Sequence, residues 1–384
     1  LPTFASKKPQ LEIIFDIGSA SVGVAVFLLS AGKKSILTFS YREELPLYED
    51  TNFDRLGAAI LQAVGNAAQK TIETGIQAHT IAEVKCFLSS PWYLSKTKIS
   101  KENFETPKEF TEAVMKEIYK RETDKVVNDP ELLSSGDTEM LEAENILTKL
   151  NGYESSDPFG KKANTIEVAL FVSLSSKSVL GSIRSAIKGY FTSSTVKFHS
   201  FSFASFVVVR DIFHEKNFLL LDISGESTDV IIVRDNLLEK AVPLPMGRNF
   251  FLRGLAKNLG ITLAEASSKF RLAESEMLNA EAHKEVLKAS SEMGETWRMG
   301  LQNIFSELSK ESKFLPHNVF VMADDEVARW FIENIQDEGV SQFTLSDGVF
   351  IVRHLDAQFL SAFCDSAKGV PRDPFLMLEG VCRG

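Results

Sequence analysis

Phe15-Asp16-Ile17-Gly18-Ser19-Ala20-Ser21 and, far downstream, Leu221-Asp222-Ile223-Ser224-Gly225-Glu226-Ser227-Thr228-Asp229 are built alike. Each is an apolar strand ending in aspartate, then a turn of small residues, then a second apolar strand, Val22 to Val26 in one case and Val230 to Val233 in the other. Two β-branched runs around a tight turn predict a hairpin. Small residues let backbone N–H groups approach an anion, and the hydroxyls of such turns add donors for phosphate oxygens. An aspartate at each strand end, Asp16 and Asp222, suits the hydrated Mg²⁺ that accompanies a nucleotide. Alone, either motif is a common turn. Together, one in each half of the chain, they predict a triphosphate gripped between two domains.

The surrounding pattern alternates strands and helices. Leu56, Ile60, Val64, Ala68 and Ile72 recur at four-residue steps, so residues 51–74 read as a helix with one buried face. Strands are predicted at 83–91, 165–174, 318–322 and 348–353. Helices are predicted at 106–121, 177–191, 326–335 and 357–367, with a long charged helical region over 263–312, broken near Gly294. Strands alternating with helices, with hairpins between, define an α/β protein with mixed sheets. Between Arg121 and Asn145 there are eight acidic residues and two basic ones, which reads as a solvated loop with a short helix or as an acidic docking surface.

The chain of 384 residues has room for two or three folding units and a sizeable core. Hydrophobic residues at 44% and charged residues at 24% are those of an ordinary globular protein. A net charge of -10 argues against a phosphate-backbone binder, so no nucleic acid is expected as partner. The three cysteines, Cys86, Cys364 and Cys382, are too scattered for a disulfide framework or a four-cysteine zinc site. The six histidines lack ligand spacing. The 29 phenylalanines read as core, as does Trp92 beside Pro91 and Tyr93. No local signature of a hydrolase nucleophile is present. Apolar runs such as 22–29 and 203–209 are too short to cross a bilayer, no secretory signal opens the chain, and residues 376–384 form no basic amphipathic helix. A cytoplasmic protein without direct membrane insertion is expected.

On these motifs the sequence resembles the actin-like ATPase superfamily, and within it the FtsA/PilM family. The resemblance covers about Ile13 to Ala367. It implies two lobes, each a ribonuclease-H-like α/β domain, with a small α+β subdomain inserted in the first. Val84-Lys-Cys-Phe-Leu-Ser-Ser-Pro-Trp92 resembles the opening of that insertion. Leu150-Asn-Gly-Tyr153, Asp157-Pro-Phe-Gly160 and the strand Ile166 to Leu174 resemble its later part. The implied divisions are 11–83 and 175–214 for the first lobe and 84–174 for the insertion. They continue with 215–260 and 318–370 for the second-lobe core, 261–317 for its helical subdomain, and 371–384 as a C-terminal tail.

The resemblance also assigns a nucleotide cleft for ATP and Mg²⁺. Asp16, Gly18, Ser19 and Ser21 match the first phosphate loop. Asp222, Ser224, Gly225, Ser227 and Thr228 match the second, with Asp16 and Asp222 as the metal-holding pair. Gly247, in Pro243-Leu-Pro-Met-Gly247-Arg-Asn-Phe, matches the following turn. Ala323 and Asp324 stand where a glycine pair lies against the adenosine. Near the adenosine an ungapped reading places Ser267 where a glutamate is expected, leaving Glu265 and Lys269 as displaced candidates. The second loop departs from the pattern: Ser224 and Glu226 replace glycines. A Cβ there obstructs backbone approach, and a glutamate sets like charge beside phosphate. The expected function is thus an actin-like adaptor with weak or lost ATP binding. Its partners would be divisome or pilus-assembly proteins at the inner membrane, met through a cytosolic peptide, with self-association into filaments also implied. The inserted subdomain would offer a sheet edge to such a peptide. The alternative is an active ATPase or small-molecule kinase on the same fold, which would require intact phosphate glycines and a catalytic base.

Overall fold

The computed structural model describes residues 10–29, 34–76, 81–129, 137–192, 194–312, 314–344 and 349–382. The chain opens with β1 (Gln10–Ile17), β2 (Ser21–Leu29) and β3 (Ile36–Glu44). Helix α1 (Phe53–Lys70) follows, started by the Asn52 side chain, which accepts from the Arg55 amide, and it buries the stripe Leu56, Ile60, Val64 and Ala68. After β4 (Ile81–Leu88) the chain leaves this sheet. It builds β5 (Leu94–Glu109), α2 (Glu112–Val127), β6 (Thr138–Leu150), β7 (Tyr153–Glu154) and β8 (Lys162–Ser176). It returns through α3 (Lys177–Lys188), β9 (Val196–Ser200) and α4 (Phe201–Val207).

The second half repeats the plan. Strands β10 (Phe218–Ile223), β11 (Thr228–Arg234) and β12 (Leu237–Leu244) are followed by α5 (Arg248–Leu259), α6 (Leu263–Glu274) and α7 (Ala280–Ser312). Then come β13 (Asn318–Ala323), α8 (Asp325–Ile335), the short α9 (Glu338–Ser341), β14 (Ile351–His354), the short α10 (Ala357–Leu360), β15 (Asp365–Ser366) and α11 (Pro374–Val381).

Three sheets result, ordered β15-β3-β2-β1-β4-β9, β12-β11-β10-β13-β14 and β5-β8-β6-β7. In the first, β1 lies between antiparallel β2 and parallel β4; in the second, β10 lies between antiparallel β11 and parallel β13. That shared arrangement is the duplication announced by the two hairpins, and it puts Asp16 and Asp222 at equivalent ends of equivalent central strands. The third sheet, backed by α2, is a separate layer inserted between β4 and α3, with its own small core of Phe110, Ile118, Val126, Ile166, Val168 and Val172.

Several elements differ from the sequence reading. The region expected as a helix from 106 begins as the end of β5, and α2 starts only at Glu112. The acidic stretch 121–145 is mostly regular structure: its first part closes α2 and its last part is β6. Pro130 to Gly136 lie outside the described residues. The long helical region is broken at 275–279, not at Gly294, which sits inside continuous α7 against the Asn334 side chain. Residues 371–384, expected as a tail, contain α11, whose residues from Phe375 to Val381 are all buried.

Candidate functional site

The end of each central strand carries its aspartate into the junction between the lobes. Asp16 is 3% exposed and Asp222 1%. Strand register sets Asp222 directly opposite Asp229. Burial pushes Asp222 well above the usual carboxylate range, and the charges of Asp229 and Asp16 push it further. Asp16 is raised to about 6, burial outweighing the opposing pull of Arg42.

Arg42, on β3, fills the space beside the first turn. It donates Nη2 to Asp16 at 2.7 Å and Nη1 to the Ser21 hydroxyl at 2.8 Å, and it grips Asp373 through Nε and Nη2 at 2.6 and 2.9 Å. Asp373 is brought there by the chain entering α11, whose Phe375 ring lies 5.4 Å from the guanidinium. The Asp16 carboxylate and Ser21 hydroxyl are therefore committed to an internal cation.

The two turns touch. The Glu226 amide donates to the Ser19 hydroxyl at 2.8 Å. A methyl group at Gly225 would lie 2.6 Å from the Ala20 nitrogen, so only glycine permits this approach. The Gly18 carbonyl accepts from the Trp92 indole at 3.0 Å. Within the second turn, the Ser224 amide donates to the Ser227 carbonyl at 2.9 Å, and the Thr228 hydroxyl donates to the Met246 carbonyl at 2.8 Å. Gly247 packs against the Ser224 and Gly225 carbonyls, where any side chain would collide. At the start of α5, the amides of Arg248 and Asn249 donate to those same carbonyls at 2.9 and 2.8 Å. The amides of Gly18, Ser224 and Glu226 are thus spent on the turns themselves. The cavity left between the turns is about 20 Å³. That is room for a water molecule and too little for a phosphate group.

Further bridges bind the lobes to each other. Ser90 and Tyr93, at the entry to the inserted sheet, donate to Asp229 Oδ2 at 2.7 and 2.9 Å. The Ser224 hydroxyl donates to the Ser90 carbonyl at 3.3 Å. Arg248 reaches Glu44 of the first lobe at 3.2 Å, and Asp324 and Glu326 of the second at 3.5 and 3.7 Å. Glu226 is bound by Arg253, Asn249 and Thr51.

Outside the touching turns lies a cavity of about 540 Å³, walled by Arg42, Glu44, Arg248, Ser267, Arg271, Asp324, Asp325, Glu326 and Phe375. Ser267 faces it, at the position the ungapped reading marked. Lys269 is not among its walls, and Glu265 instead closes a capping box with Thr262 at the start of α6. Ala323, fully buried at the end of β13, pairs with Ile223 and offers its carbonyl toward His354 Nε2 at 3.3 Å. The junction thus collects Asp16, Gly18, Ser19, Ser21, Asp222, Ser224, Gly225, Ser227, Thr228, Gly247 and Ala323. Sequence reasoning passed over Arg42, Arg253, Asp373 and the Ser90–Tyr93 pair. An arginine in a strand and a hydroxyl before a proline carry no local signal of a distant partner. Tested against Mg²⁺-ATP, this arrangement does not fit: the turns are in contact and Asp16 is ion-paired. Among the described residues no cluster of three or more histidine, cysteine or acidic side chains is arranged to hold a metal ion.

No protein-family model matches the chain, and no curated protein matches it in sequence. Solved structures do match. The fold and the paired hairpins define the class: an actin-like, two-lobed fold with an α+β subdomain inserted in the first lobe. Within that class the chain is similar to PilM, as solved in a PilM-PilN type IV pilus biogenesis complex, with a TM-score of 0.62, 14% identity, and 96% of this chain and 98% of that one covered. Other matches include the ethanolamine utilization protein EutJ from Carboxydothermus hydrogenoformans (TM-score 0.45, 11% identity, 98% and 90% covered). A Bacteroides thetaiotaomicron protein of actin-like ATPase fold and unknown function also matches (TM-score 0.40, 8% identity, 100% and 99% covered). The likeness to PilM bears out the expected fold.

Proposed function

We propose that the chain is an adaptor on the actin-like fold that recruits an inner-membrane assembly protein through a cytosolic peptide, without nucleotide as its conformational ligand. The observation that carries this reading is the contact between the two turns, which leaves about 20 Å³ between them. The fold shared with PilM, solved in a complex with PilN, favours a pilus-assembly type of partner over a divisome partner. Among the described residues no helix is long and apolar enough to cross a membrane.

Several of the acidic residues of this stretch are answered internally, which weakens it as a docking surface for a basic segment. Glu122 is paired with Arg121 and Lys125, Asp129 with Lys96, Asp137 with Lys177, and Glu139 with Arg184. The sheet edge at β5 carries Lys96, Lys98, Lys101 and Lys108, which discourage strand addition. A groove of about 250 Å³ where the insertion meets the first lobe is the better seat. Phe87, Ile146, Phe203 and Val207 give it an apolar floor, and Lys85, His199 and Arg210 a polar rim.

Calorimetry tests both halves of the reading. Cytosolic peptides of inner-membrane pilus-assembly proteins are expected to bind with a Kd of roughly 1 μM, about -8 kcal/mol, equally with and without Mg²⁺-ATP. Phe203→Asp should abolish that binding. Peptide capture that requires ATP, or tight ATP binding by the wild-type chain, would overturn the proposal. The thermal midpoint should likewise not move with Mg²⁺-ATP, whereas a ligand present at 100 times its Kd adds about 2.7 kcal/mol.

A further inference from the structure

Glu226 stands where the resemblance expects glycine, and both of its carboxylate oxygens are bound. Arg253 donates Nη1 to Oε2 at 2.8 Å and Nη2 to Oε1 at 2.7 Å. Asn249 Nδ2 donates to Oε1 at 2.7 Å, and the Thr51 hydroxyl donates to Oε2 at 3.0 Å. The third donor of Arg253, Nε, goes to the Tyr48 carbonyl at 2.7 Å. The backbone of the same glutamate holds the Ser19 hydroxyl. Glu226, Asn249 and Arg253 come from the second lobe; Ser19, Tyr48 and Thr51 come from the first. The glutamate side chain is 11% exposed and the arginine 19%. Burial opposes the charge, but these hydrogen bonds outweigh it and hold the carboxyl below its usual range, so the group is an anion.

Planar, two-pronged donation from an arginine with two further donors describes a built anion site. Here the chain fills it with its own carboxylate. We propose that Glu226 is an internal anion shared by the two lobes, holding them closed in the way an external phosphate bridging the same donors would. This inference rests on the reading that closure needs no nucleotide, and it names the group that makes it so.

Amide hydrogen exchange over residues 17–22 and 224–228 tests it. Removing one partner of a charge-assisted hydrogen bond weakens closure enough to raise exchange at both turns at least about tenfold in Glu226→Ala. Millimolar inorganic phosphate should reverse that rise by occupying the vacated donors, and should have no effect on the wild type. In the double variant Glu226→Ala with Arg253→Ala, phosphate should restore nothing. Exchange in Glu226→Ala equal to the wild type would overturn the proposal. So would phosphate protection that persists without Arg253. Should Glu226→Ala fail to fold, Glu226→Gln keeps the shape and loses the charge; turns as protected as in the wild type would then sink the idea. The readout involves neither ATP nor a partner, so a negative result here leaves the adaptor reading standing, and failure of the peptide experiments leaves this one standing.

Discussion

Asp16, Asp222 and Glu379 are carboxylates taken out of water at one junction, and Arg42 is the cation set against Asp16. Neither oxygen of Glu379 has a hydrogen-bond partner, and burial pushes its pKa well above the usual range, reinforced by the charges of Asp16, Asp373 and Asp222. The sign of the pH effect follows. A carboxyl whose pKa is raised by folding keeps a proton that the unfolded chain gives up. Its contribution is favourable below the unfolded value and is lost as pH rises. For Asp16 that loss runs from about 3.8 to about 6, and for Glu379 and Asp222 it continues higher. Glu379→Leu is therefore expected to stabilise the protein at pH 7 by about 1–3 kcal/mol, the usual cost of an unsatisfied buried polar group. It should also flatten the fall in stability between pH 5 and pH 8, as read from urea unfolding across that range. Unchanged stability would mean that the carboxyl finds a partner in solution. Glu379 illustrates a limit of sequence reading: a glutamate within Phe375-Leu-Met-Leu-Glu379-Gly-Val381 looks like the polar edge of a helix until packing shows that the helix has no exposed side.

At the scale of elements, the turn after β1 and the turn after β10 are the deciding pair. Their small residues suggest room for phosphate. Small residues equally allow two backbones to meet, and here they do. The turn residue that decides is Gly225, because its neighbours at the contact are backbone atoms of Ser19 and Ala20, which cannot rotate away. Gly225→Ala is expected to force the turns apart at a cost of about 1–3 kcal/mol, the range for overpacking a filled site. Hydrogen exchange should rise in both turns while the far ends of β1 and β10 stay protected. Uniform protection would show that the turns separate freely in solution. The acidic stretch 121–145 carries the same lesson: counting charges suggests a surface, but a carboxylate's meaning depends on which lysine or arginine lies beside it.

The hydrophobic core is divided: the second lobe, the first lobe and the inserted sheet each have a cluster of their own, and a further one crosses the divisions of the chain. One continuous cluster takes Ile14 and Phe27 from the first lobe, Ile146 and Phe171 from the inserted subdomain, Phe218 and Phe320 from the second lobe, and Leu376 and Met377 from α11. Phe171 stacks on Phe203, and Phe201 lies against Phe375, so the inserted sheet and the last helix close on the same aromatic layer. Units that share a core lose it together. Calorimetry is expected to show a single unfolding transition, with a van't Hoff enthalpy matching the measured one; two separated peaks would mean that the lobes are independent. A core shared in this way, together with the ionic bridges at the junction, ties the two lobes to each other.

The amino-acid sequence by itself determined the class of fold and its duplication. Those rest on local patterns: alternation in the strands, the four-residue step of α1, aspartate and small residues at two hairpin turns. Hydrophobic periodicity and turn chemistry act within a few residues, so they are written in the chain. What became of the cleft was decided only by tertiary structure. Arg42 meets Asp16 and Asp373, Glu226 meets Thr51, and Asp229 meets Tyr93, from elements that are far apart in sequence. A glutamate in such a turn repels an anion if it stands alone and is neutralised if an arginine is folded against it. The sign of its effect is set by the neighbour that folding supplies, because charge and hydrogen-bond energies depend on distance in space.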